Sequence, residues 1–134
     1  MPDIHVSAAI ITDRAGRVLV VRKQGTERFM QPGGKPEAGE TAAQTLAREL
    51  HEELGLLVDE AALRPLGVFI SAAANEPGHR VVATAFAMTA EPEDVQVQAE
   101  LAELRWITPA DADTLLLAPL SEEHLLPIAW PVAR

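Results

Sequence analysis

The sequence predicts an α+β domain in which helices pack on a mixed β-sheet. Two pairs of apolar, β-branched segments are separated by turns, as is typical of strands. A segment between the two pairs has helical spacing instead, and two short segments near the end of the chain begin like helices. The 134 residues have the length of a single domain, so we expect residues 1–134 to form one.

The first strand pair is predicted over residues 4–23. The segment "IHVSAAII" is rich in β-branched residues, and "RVLVVRK" follows after a turn that contains Asp13 and Gly16. Two such runs joined by a short turn favour a β-hairpin. The segment "FMQPGGK", residues 29–35, is expected to be a short extended piece that enters a glycine turn.

Residues 40–54 are predicted to form the main helix. Five apolar residues recur there at spacings of three and four, which places them on one helix face. They are Ala43, Leu46, Ala47, Leu50 and Leu54. Gly55 follows at the position where glycine commonly ends a helix.

Three further strands are predicted in the second half of the chain. Residues 63–73 and 80–90 are apolar segments on either side of the turn "ANEPGH", so we expect them to pair. The segment "LRWIT", residues 104–108, is predicted to be the last strand. These strands extend the sheet begun by the first hairpin.

Two short helices are predicted near the end of the chain. Residues 109–117 begin with Pro109, which is well placed in a first helical turn. Residues 121–129 are expected to form the final helix, with Ser121 as its N-terminal cap and Pro127 limiting its length. The apolar tail that contains Trp130 is interpreted as closing the core, although it also suits a dimer contact.

Composition excludes some classes of function. The net charge of −9 argues against binding of a nucleic-acid polymer, which needs a basic surface. The absence of cysteine excludes disulfides and thiolate metal sites. The chain contains neither a secretory signal pattern nor an apolar run long enough to cross a bilayer, so we expect a cytoplasmic protein without membrane contact.

Glu49, Glu52 and Glu53 cluster on the predicted helix. At about 100° per residue they span roughly 100° of arc, on a different side from the apolar stripe, so we expect all three to be solvated. Such a cluster is commonly only a soluble surface, but carboxylates also suit a hard cation such as Mg²⁺ or Mn²⁺. The adjacent Gly33 and Gly34 permit close approach of a ligand and favour a metal–phosphate site.

The spacing G-x5-E-x7-R-E-U-x-E-E-x-G-U, in which U is a bulky aliphatic residue, is filled at every defined position from residue 34 to residue 56. This segment resembles the Nudix box of the Nudix hydrolases. The resemblance implies the Nudix fold, an α/β/α sandwich around a mixed sheet. It also implies hydrolysis of a nucleoside diphosphate linked to another group X.

The resemblance further implies roles for individual residues. The metal ligands are the three helix glutamates, the carbonyl of Gly34 and an acid before the last strand, with Glu100 as first candidate and Glu103 as second. Arg48 orients the glutamates, Glu40 is its partner, and one of the glutamates deprotonates the attacking water. The implied catalytic residues, acting with Mg²⁺ or Mn²⁺, are Glu40, Arg48, Glu49, Glu52 and Glu53.

Several basic residues are available to bind the substrate's phosphates. Arg22 and Lys35 rank first because they flank the glycine turn in the implied fold. The other candidates are Lys23, Arg28 and Arg80.

The base of a nucleotide would need an aromatic or polar contact. Phe69 and Phe86 lie on paired predicted strands and are candidates to line the base pocket, although core packing is the commoner role of such residues. The terminal segment resembles the base-holding segment of MutT-like members, and Ser121 occupies the place that reads the base edge.

A small MutT-like nucleoside triphosphate pyrophosphohydrolase is the function we expect. The chain has no tyrosine, whereas subfamilies acting on dinucleoside polyphosphates or coenzyme A derivatives typically carry one after the box. The alternatives are a pyrophosphatase of ADP-sugars or other nucleotide derivatives, and a non-catalytic module that senses a nucleotide. A monomer and a homodimer are both compatible with the sequence.

Overall fold

The computed structural model describes residues 3–131. Its centre is a six-stranded sheet in the order β4-β5-β1-β2-β6, with the short β3 paired to β1. The strands are β1 Asp3–Thr12, β2 Val18–Lys23, β3 Gly33–Gly34, β4 Arg64–Ala72, β5 Arg80–Thr89 and β6 Leu101–Ile107.

Helical segments connect these strands. The helices are α1 Ala42–Leu54, α2 Pro109–Ala112 and α3 Leu126–Ala129, with 3₁₀ turns at Glu60–Ala62 and Pro92–Asp94 and a π-helical turn at Ser121–Leu125. Within residues 3–131, none of these helices is long and apolar enough to cross a membrane.

The sheet is mixed, as the sequence predicts. The strands β1 and β2 form the predicted antiparallel hairpin, and β4 and β5 form the second antiparallel pair. The central contact is parallel, because β1 lies beside β5 along its whole length, from Asp3 opposite Arg80 to Thr12 opposite Thr89. The prediction of an α+β domain built on a mixed sheet is therefore confirmed.

Alternating side chains of β1 serve two hydrophobic clusters, one on each face of the sheet. Ala9 and Ile11 pack with Leu46, Leu50 and Leu54 of α1. On the opposite face, the adjacent β1 residues pack with the C-terminal helical segments. Helices thus cover both faces of the sheet, and the fold is the α/β/α sandwich that the resemblance implies.

The helix α1 begins at Ala42, two residues after the predicted start. Thr41 has extended backbone angles and accepts a hydrogen bond from the Gln44 amide, while the Gln44 side chain accepts one from the Thr41 amide. This capping box fixes the first turn of α1. Gly55 ends the helix at φ 67°, as the sequence predicts.

The C-terminal segments differ from their predictions. The helix predicted over 109–117 extends only over Pro109–Ala112. Ser121 is not a helix cap, because the helical residues begin at Pro119 and the Ser121 side chain bonds to Gln31 instead. Pro127 lies at the start of α3, where its missing N–H costs little.

Trp130 is partly buried against the cluster beneath α3. Its indole Nε1 donates a hydrogen bond to the carbonyl of Gly16 at 2.9 Å. This contact agrees with the interpretation that Trp130 closes the core. The apolar tail that contains Trp130 ends at Val132, which lies outside the described residues.

Candidate active site

The glycine turn brings the start of the box against both β1 and α1. Gly33 and Gly34 pair with Ala8 and Ser7 of β1. A Cβ on Gly33 would lie 2.0 Å from the Ser7 carbonyl oxygen, and one on Gly34 would lie 2.4 Å from Cδ of Glu49. A side chain at Gly33 would therefore collide with the backbone of β1, whereas a side chain at Gly34 would displace the Glu49 carboxylate.

The three box glutamates are not equivalent, which corrects the expectation that all are solvated. The Glu52 side chain is 53% exposed and that of Glu49 is 15% exposed, whereas Glu53 is only 2% exposed. At about 100° per residue, Glu53 lies about 20° from Leu46 and about 60° from Leu50 around the helix axis, so it adjoins the buried leucine side of α1. Its Oε1 accepts a weak hydrogen bond from the Gly33 amide at 3.4 Å, and its buried Oε2 has no partner.

Burial changes the protonation of these carboxyl groups. Loss of solvent raises the pKa of Glu53 to about 7, and the neighbouring Glu49 carboxylate adds to the shift, while Lys23 opposes it. Burial also raises the pKa of Glu49 above its ordinary value. A buried, partly unpartnered carboxylate of this kind favours a bound cation or a proton.

This shift predicts a pH-dependent stability in the presence of a chelator. The pKa of Glu53 is raised from 4.5 to about 7 on folding, so the folded state holds the proton more tightly than the unfolded chain does. The resulting stabilisation is complete below pH about 4.5 and is lost as the pH rises to about 7. We expect the loss to be about 1–3 kcal/mol.

Thermal unfolding of wild type and Glu53→Gln at several pH values measures this difference, with EDTA present throughout. The variant should gain stability relative to wild type across that window, because glutamine carries no charge to bury. Parallel curves for the two proteins would contradict a raised pKa at Glu53.

Arg48 organises the remaining carboxylates. Its Nε and Nη2 donate hydrogen bonds to the two oxygens of Glu40 at 2.7 and 3.0 Å. Its Nη1 donates to Glu49 at 2.9 Å and to Glu52 at 3.4 Å, and Nη2 also donates to the Lys35 carbonyl. The structure thus brings together the arginine and the partner that the resemblance implies.

Glu40 anchors this network. The hydrogen bonds from Arg48 lower the pKa of Glu40 to about 2, so the pair is charged at all ordinary pH values. Its carboxylate also accepts hydrogen bonds from the Glu37 amide and the Thr45 hydroxyl. Arg48 is therefore held in one orientation while it contacts Glu49 and Glu52.

We expect Glu40→Gln to lower kcat/KM for the eventual substrate by about 10- to 100-fold, the usual effect of losing a group that orients metal ligands. The glutamine is neutral and bonds Arg48 less strongly, so the arginine and the two glutamates lose their fixed positions. Steady-state kinetics at saturating Mg²⁺ measures the effect. Glu37→Gln is the control, since Glu37 lies farther from Arg48, at 3.6 Å, and its side chain is 69% exposed.

A cavity of about 420 Å³ opens beside the glycine turn and α1. Its polar wall contains Gly34, Glu49, Glu53 and Glu100, together with the basic residues Lys23 and Lys35. The remaining wall is mostly apolar and is contributed by β1, β5 and the segments after β4 and α2. Carboxylates and lysines at one cavity suit a ligand that combines phosphates with a cation.

The residues fit a divalent metal of the magnesium type. The Oε2 of Glu53 is buried and makes no hydrogen bond, the negative charge of Glu49 contributes to the raised pKa of Glu53, and Gly34 lies beside the Glu49 carboxylate. In residues 3–131, no three Asp, Glu or His side chains converge closely enough to enclose an ion by themselves. Magnesium needs only one or two protein carboxylates and completes its shell with water and substrate phosphates.

Arg22 does not line the cavity, which corrects its ranking as a phosphate ligand. Its Nε donates to Glu103 at 2.9 Å and its Nη1 donates to the Thr26 carbonyl at 2.7 Å. The register of β2 and β6 places Arg22 directly opposite Glu103, so the two side chains pair across the sheet. The adjacent Lys23 faces the cavity instead.

Two other basic candidates also lie away from the cavity. Arg28 donates a hydrogen bond to the Leu117 carbonyl at 2.8 Å. Arg80 forms a double contact with Asp3, its neighbour across β1 and β5. Among the predicted phosphate ligands, the structure therefore retains Lys35 and Lys23 at the site.

Glu103, the second candidate for the additional metal ligand, is engaged by arginines. The hydrogen bond from Arg22 lowers the pKa of Glu103, and Arg105 contributes to the same shift. Glu100, the first candidate, lines the cavity, and its negative charge is among the causes of the raised pKa of Glu53.

Neither aromatic candidate lines the cavity. Phe69 packs beside His124 with ring centroids 5.7 Å apart and belongs to the cluster beneath α3. Phe86 is buried in the cluster beneath α1, which is the core role that is commoner for such a residue. Ser121 does line the cavity, and its hydroxyl donates to the Gln31 side chain.

Gln31 is one of the polar residues lining the cavity that the sequence analysis does not identify. It is 6% exposed and lines the cavity, immediately before the segment "PGG". Its position next to the glycine turn is the only sequence signal, and that signal does not distinguish a ligand contact from an ordinary loop residue.

Comparison with known proteins finds a matching family. The chain matches the NUDIX domain family over residues 1–130. It is 41% identical over 64 residues to the 8-oxo-dGTP diphosphatase of Haemophilus influenzae, covering 45% of this chain and 47% of that protein. It is 47% identical over 47 residues to the RNA pyrophosphohydrolase of Edwardsiella ictaluri, covering 35% of this chain and 27% of that protein.

A solved structure is similar over almost the whole chain. The solution structure of the E. coli ORF135 protein is 28% identical, with a TM-score of 0.69, and the match covers 99% of this chain and 96% of that one. The matches to the two named enzymes span less than half the length of each.

Proposed function

The chain belongs to the NUDIX domain family, and from this premise we propose that it hydrolyses a nucleoside triphosphate or modified nucleotide at the pyrophosphate bridge, using Mg²⁺ or Mn²⁺. The observation that carries the proposal is the unpartnered, buried carboxylate oxygen of Glu53 in the wall of a cavity that also holds Glu49, Gly34 and two lysines. A carboxylate buried beside other acids is costly unless a cation joins it.

Glu49, Glu53 and the Gly34 carbonyl, which border the cavity, would hold the metal, and Glu52 and Glu100 would be its further candidate ligands. When bound, the ion would supply positive charge against the phosphate oxygens and acidify water. Arg48, anchored on Glu40, keeps Glu49 and Glu52 in place. In the reaction, the oxygen of water forms a bond to phosphorus, the bridging P–O bond breaks, and a glutamate accepts the proton of the water.

Lys35 and Lys23 would bind the substrate's remaining phosphates. The Lys35 ammonium lies 3.8 Å from Glu76, and both side chains are largely exposed, so this ion pair is weak and leaves Lys35 available. The apolar part of the cavity suits a nucleobase. The ligand is therefore a small nucleotide, which agrees with the substrate named for the H. influenzae relative.

A panel assay tests this proposal. Purified protein is incubated with Mg²⁺ or Mn²⁺ and with nucleoside triphosphates, 8-oxo-dGTP, ADP-ribose, ADP-sugars and a 5′-triphosphorylated RNA, the last because of the named RNA pyrophosphohydrolase relative. We expect the best substrate to yield a nucleoside monophosphate and pyrophosphate. We expect EDTA to abolish this hydrolysis. Hydrolysis in H₂¹⁸O identifies the attacked phosphorus. Binding without turnover throughout the panel would favour the nucleotide-sensing alternative.

Several expectations stay predictions. They are the single domain over residues 1–134, the cytoplasmic location, and the choice between a monomer and a homodimer. Each remains to be measured. Sedimentation of the purified protein at several concentrations determines the oligomeric state.

A further inference from the structure

The wall of the cavity contains a buried amide group with an unused donor. Gln31 is 6% exposed and Ser121 is 1% exposed. The hydroxyl of Ser121 donates a hydrogen bond to Oε1 of Gln31. The Nε2 of Gln31 has no hydrogen-bond partner and is shielded from solvent.

An amide nitrogen left without a partner is destabilising. A buried donor that makes no hydrogen bond costs about 1–3 kcal/mol, and such groups are rare in folded proteins. The Ser121 hydroxyl bonds the carbonyl oxygen of the Gln31 amide, so the N–H donors are the unpaired side of the amide in this orientation. The group can then offer only N–H donors to a ligand.

The location of Gln31 indicates what kind of ligand meets it. The cavity that it lines is shared with Glu53 and Lys35, and its wall also includes the apolar residues Val6 and Val81. A nucleotide whose phosphates lie at the charged side places its base against the apolar wall. The polar edge of that base then comes to Gln31.

We propose that Gln31 is a specificity-determining residue that selects nucleobases presenting a carbonyl oxygen over those presenting an amino group. Ser121 is a positioning residue that keeps the Gln31 donors turned toward the ligand. This inference rests on the proposed function, because it names the class of base at the same site.

The expected discrimination follows from hydrogen-bond complementarity. Guanine and thymine present a carbonyl oxygen where adenine and cytosine present an amino group. The Gln31 N–H and the amino group of adenine or cytosine are both donors, so neither would be paired. A buried donor that binds a carbonyl oxygen therefore disfavours a base that presents an amino group at that position. We expect at least about a tenfold preference in kcat/KM.

The test compares substrates that differ only at that edge. Inosine and adenosine triphosphates form one pair, and uridine and cytidine triphosphates form the second, each in the sugar form that is hydrolysed faster. We expect the carbonyl member of each pair to be preferred by about tenfold or more in kcat/KM. The preference should lie mainly in KM, because Gln31 does not contact the reacting phosphorus.

Two variants and two matched controls assign this preference. Gln31→Met keeps the side-chain length but removes the N–H donor, so the kcat/KM ratios of both substrate pairs should fall toward one. Ser121→Ala releases the amide and should reduce the ratios less. Gln24→Met and Ser71→Ala should leave them unchanged, since Gln24 is exposed and the buried Ser71 hydroxyl bonds Glu123 outside the cavity.

The outcomes separate this inference from the proposed function. If no nucleotide is hydrolysed, the proposed function fails. The specificity role fails alone if wild type hydrolyses both members of each substrate pair with equal kcat/KM. It also fails alone if Gln31→Met and Ser121→Ala unfold cooperatively but leave the wild-type kcat/KM ratios unchanged. A preference for the amino members would show that Gln31 presents its carbonyl oxygen, and it would also overturn the inference.

Discussion

Glu53→Gln is expected to lower kcat by about a thousandfold or more, while the protein remains folded. The residue supplies a buried carboxylate whose Oε2 has no protein partner, beside Glu49 and the glycine turn. Glutamine has the same shape, but its neutral amide is a poor ligand for Mg²⁺, which prefers anionic oxygen. Loss of a metal-coordinating carboxylate removes charge stabilisation worth several kcal/mol at the reacting phosphate.

Steady-state kinetics on the best substrate of the panel measures this effect, and Mn²⁺ titration by calorimetry measures metal affinity separately. Glu60→Gln is the matched control, since Glu60 is exposed in the 3₁₀ turn after α1 and should leave both quantities unchanged. A Glu53→Gln protein with wild-type turnover would refute the metal role of Glu53.

The same substitution is expected to stabilise the protein in EDTA above pH 7, because it removes a charge that folding buries. Glu53→Gln is thus expected to lower activity and to raise stability. Such a trade-off is common where a residue serves ligand binding at some cost to the stability of the fold. A simple destabilised variant would lose both together, so the pair of measurements distinguishes the two causes of inactivity.

The local patterns of the sequence predict the elements of this fold well. Alternation and turn residues identify the two antiparallel strand pairs, and the leucine spacing identifies α1. The resemblance to the Nudix box implies the contact between Arg48 and Glu40, and both residues belong to one compact loop–helix unit. These features are decided by residues that are near each other in the chain, so periodicity and spacing describe them.

Side-chain partners across the sheet could not be predicted in this way. Arg22 and Glu103 are 81 positions apart and meet only because β2 and β6 pair in one register. A shift of one residue would turn Arg22 to the other face of the sheet. The contact between Gln31 and Ser121 likewise depends on how the final helical segment packs, which the assignment of Ser121 as a cap did not capture.

The burial of Glu53 shows a different limit. Helical angles place Glu49, Glu52 and Glu53 within one arc, but the edge of that arc adjoins the leucine stripe. Whether a residue at such an edge is buried depends on what packs against it, here the glycine turn at β3. The sequence pattern therefore predicts a cluster of carboxylates without predicting which member is desolvated.

Gly33→Ala is expected to destabilise the protein by about 3 kcal/mol or more, which is near the upper end for single substitutions. The new Cβ would lie 2.0 Å from the Ser7 carbonyl oxygen and 2.9 Å from its carbon. These are backbone atoms of the central strand, so relief requires breaking the pairing between β3 and β1. The φ of 150° at Gly33 adds backbone strain for any other residue.

Chemical denaturation of Gly33→Ala and two companions tests the steric argument. Gly16→Ala also places alanine at a positive φ, 82°, but no atom lies within 4 Å of the new Cβ, so it should lose only about 1–2 kcal/mol. Gly34→Ala would instead meet the flexible Glu49 carboxylate at 2.4 Å. That variant should lose activity by displacing Glu49, with a smaller loss of stability than Gly33→Ala. Equal losses of stability in all three would mean that conformational freedom, rather than close packing at the turn, requires these glycines.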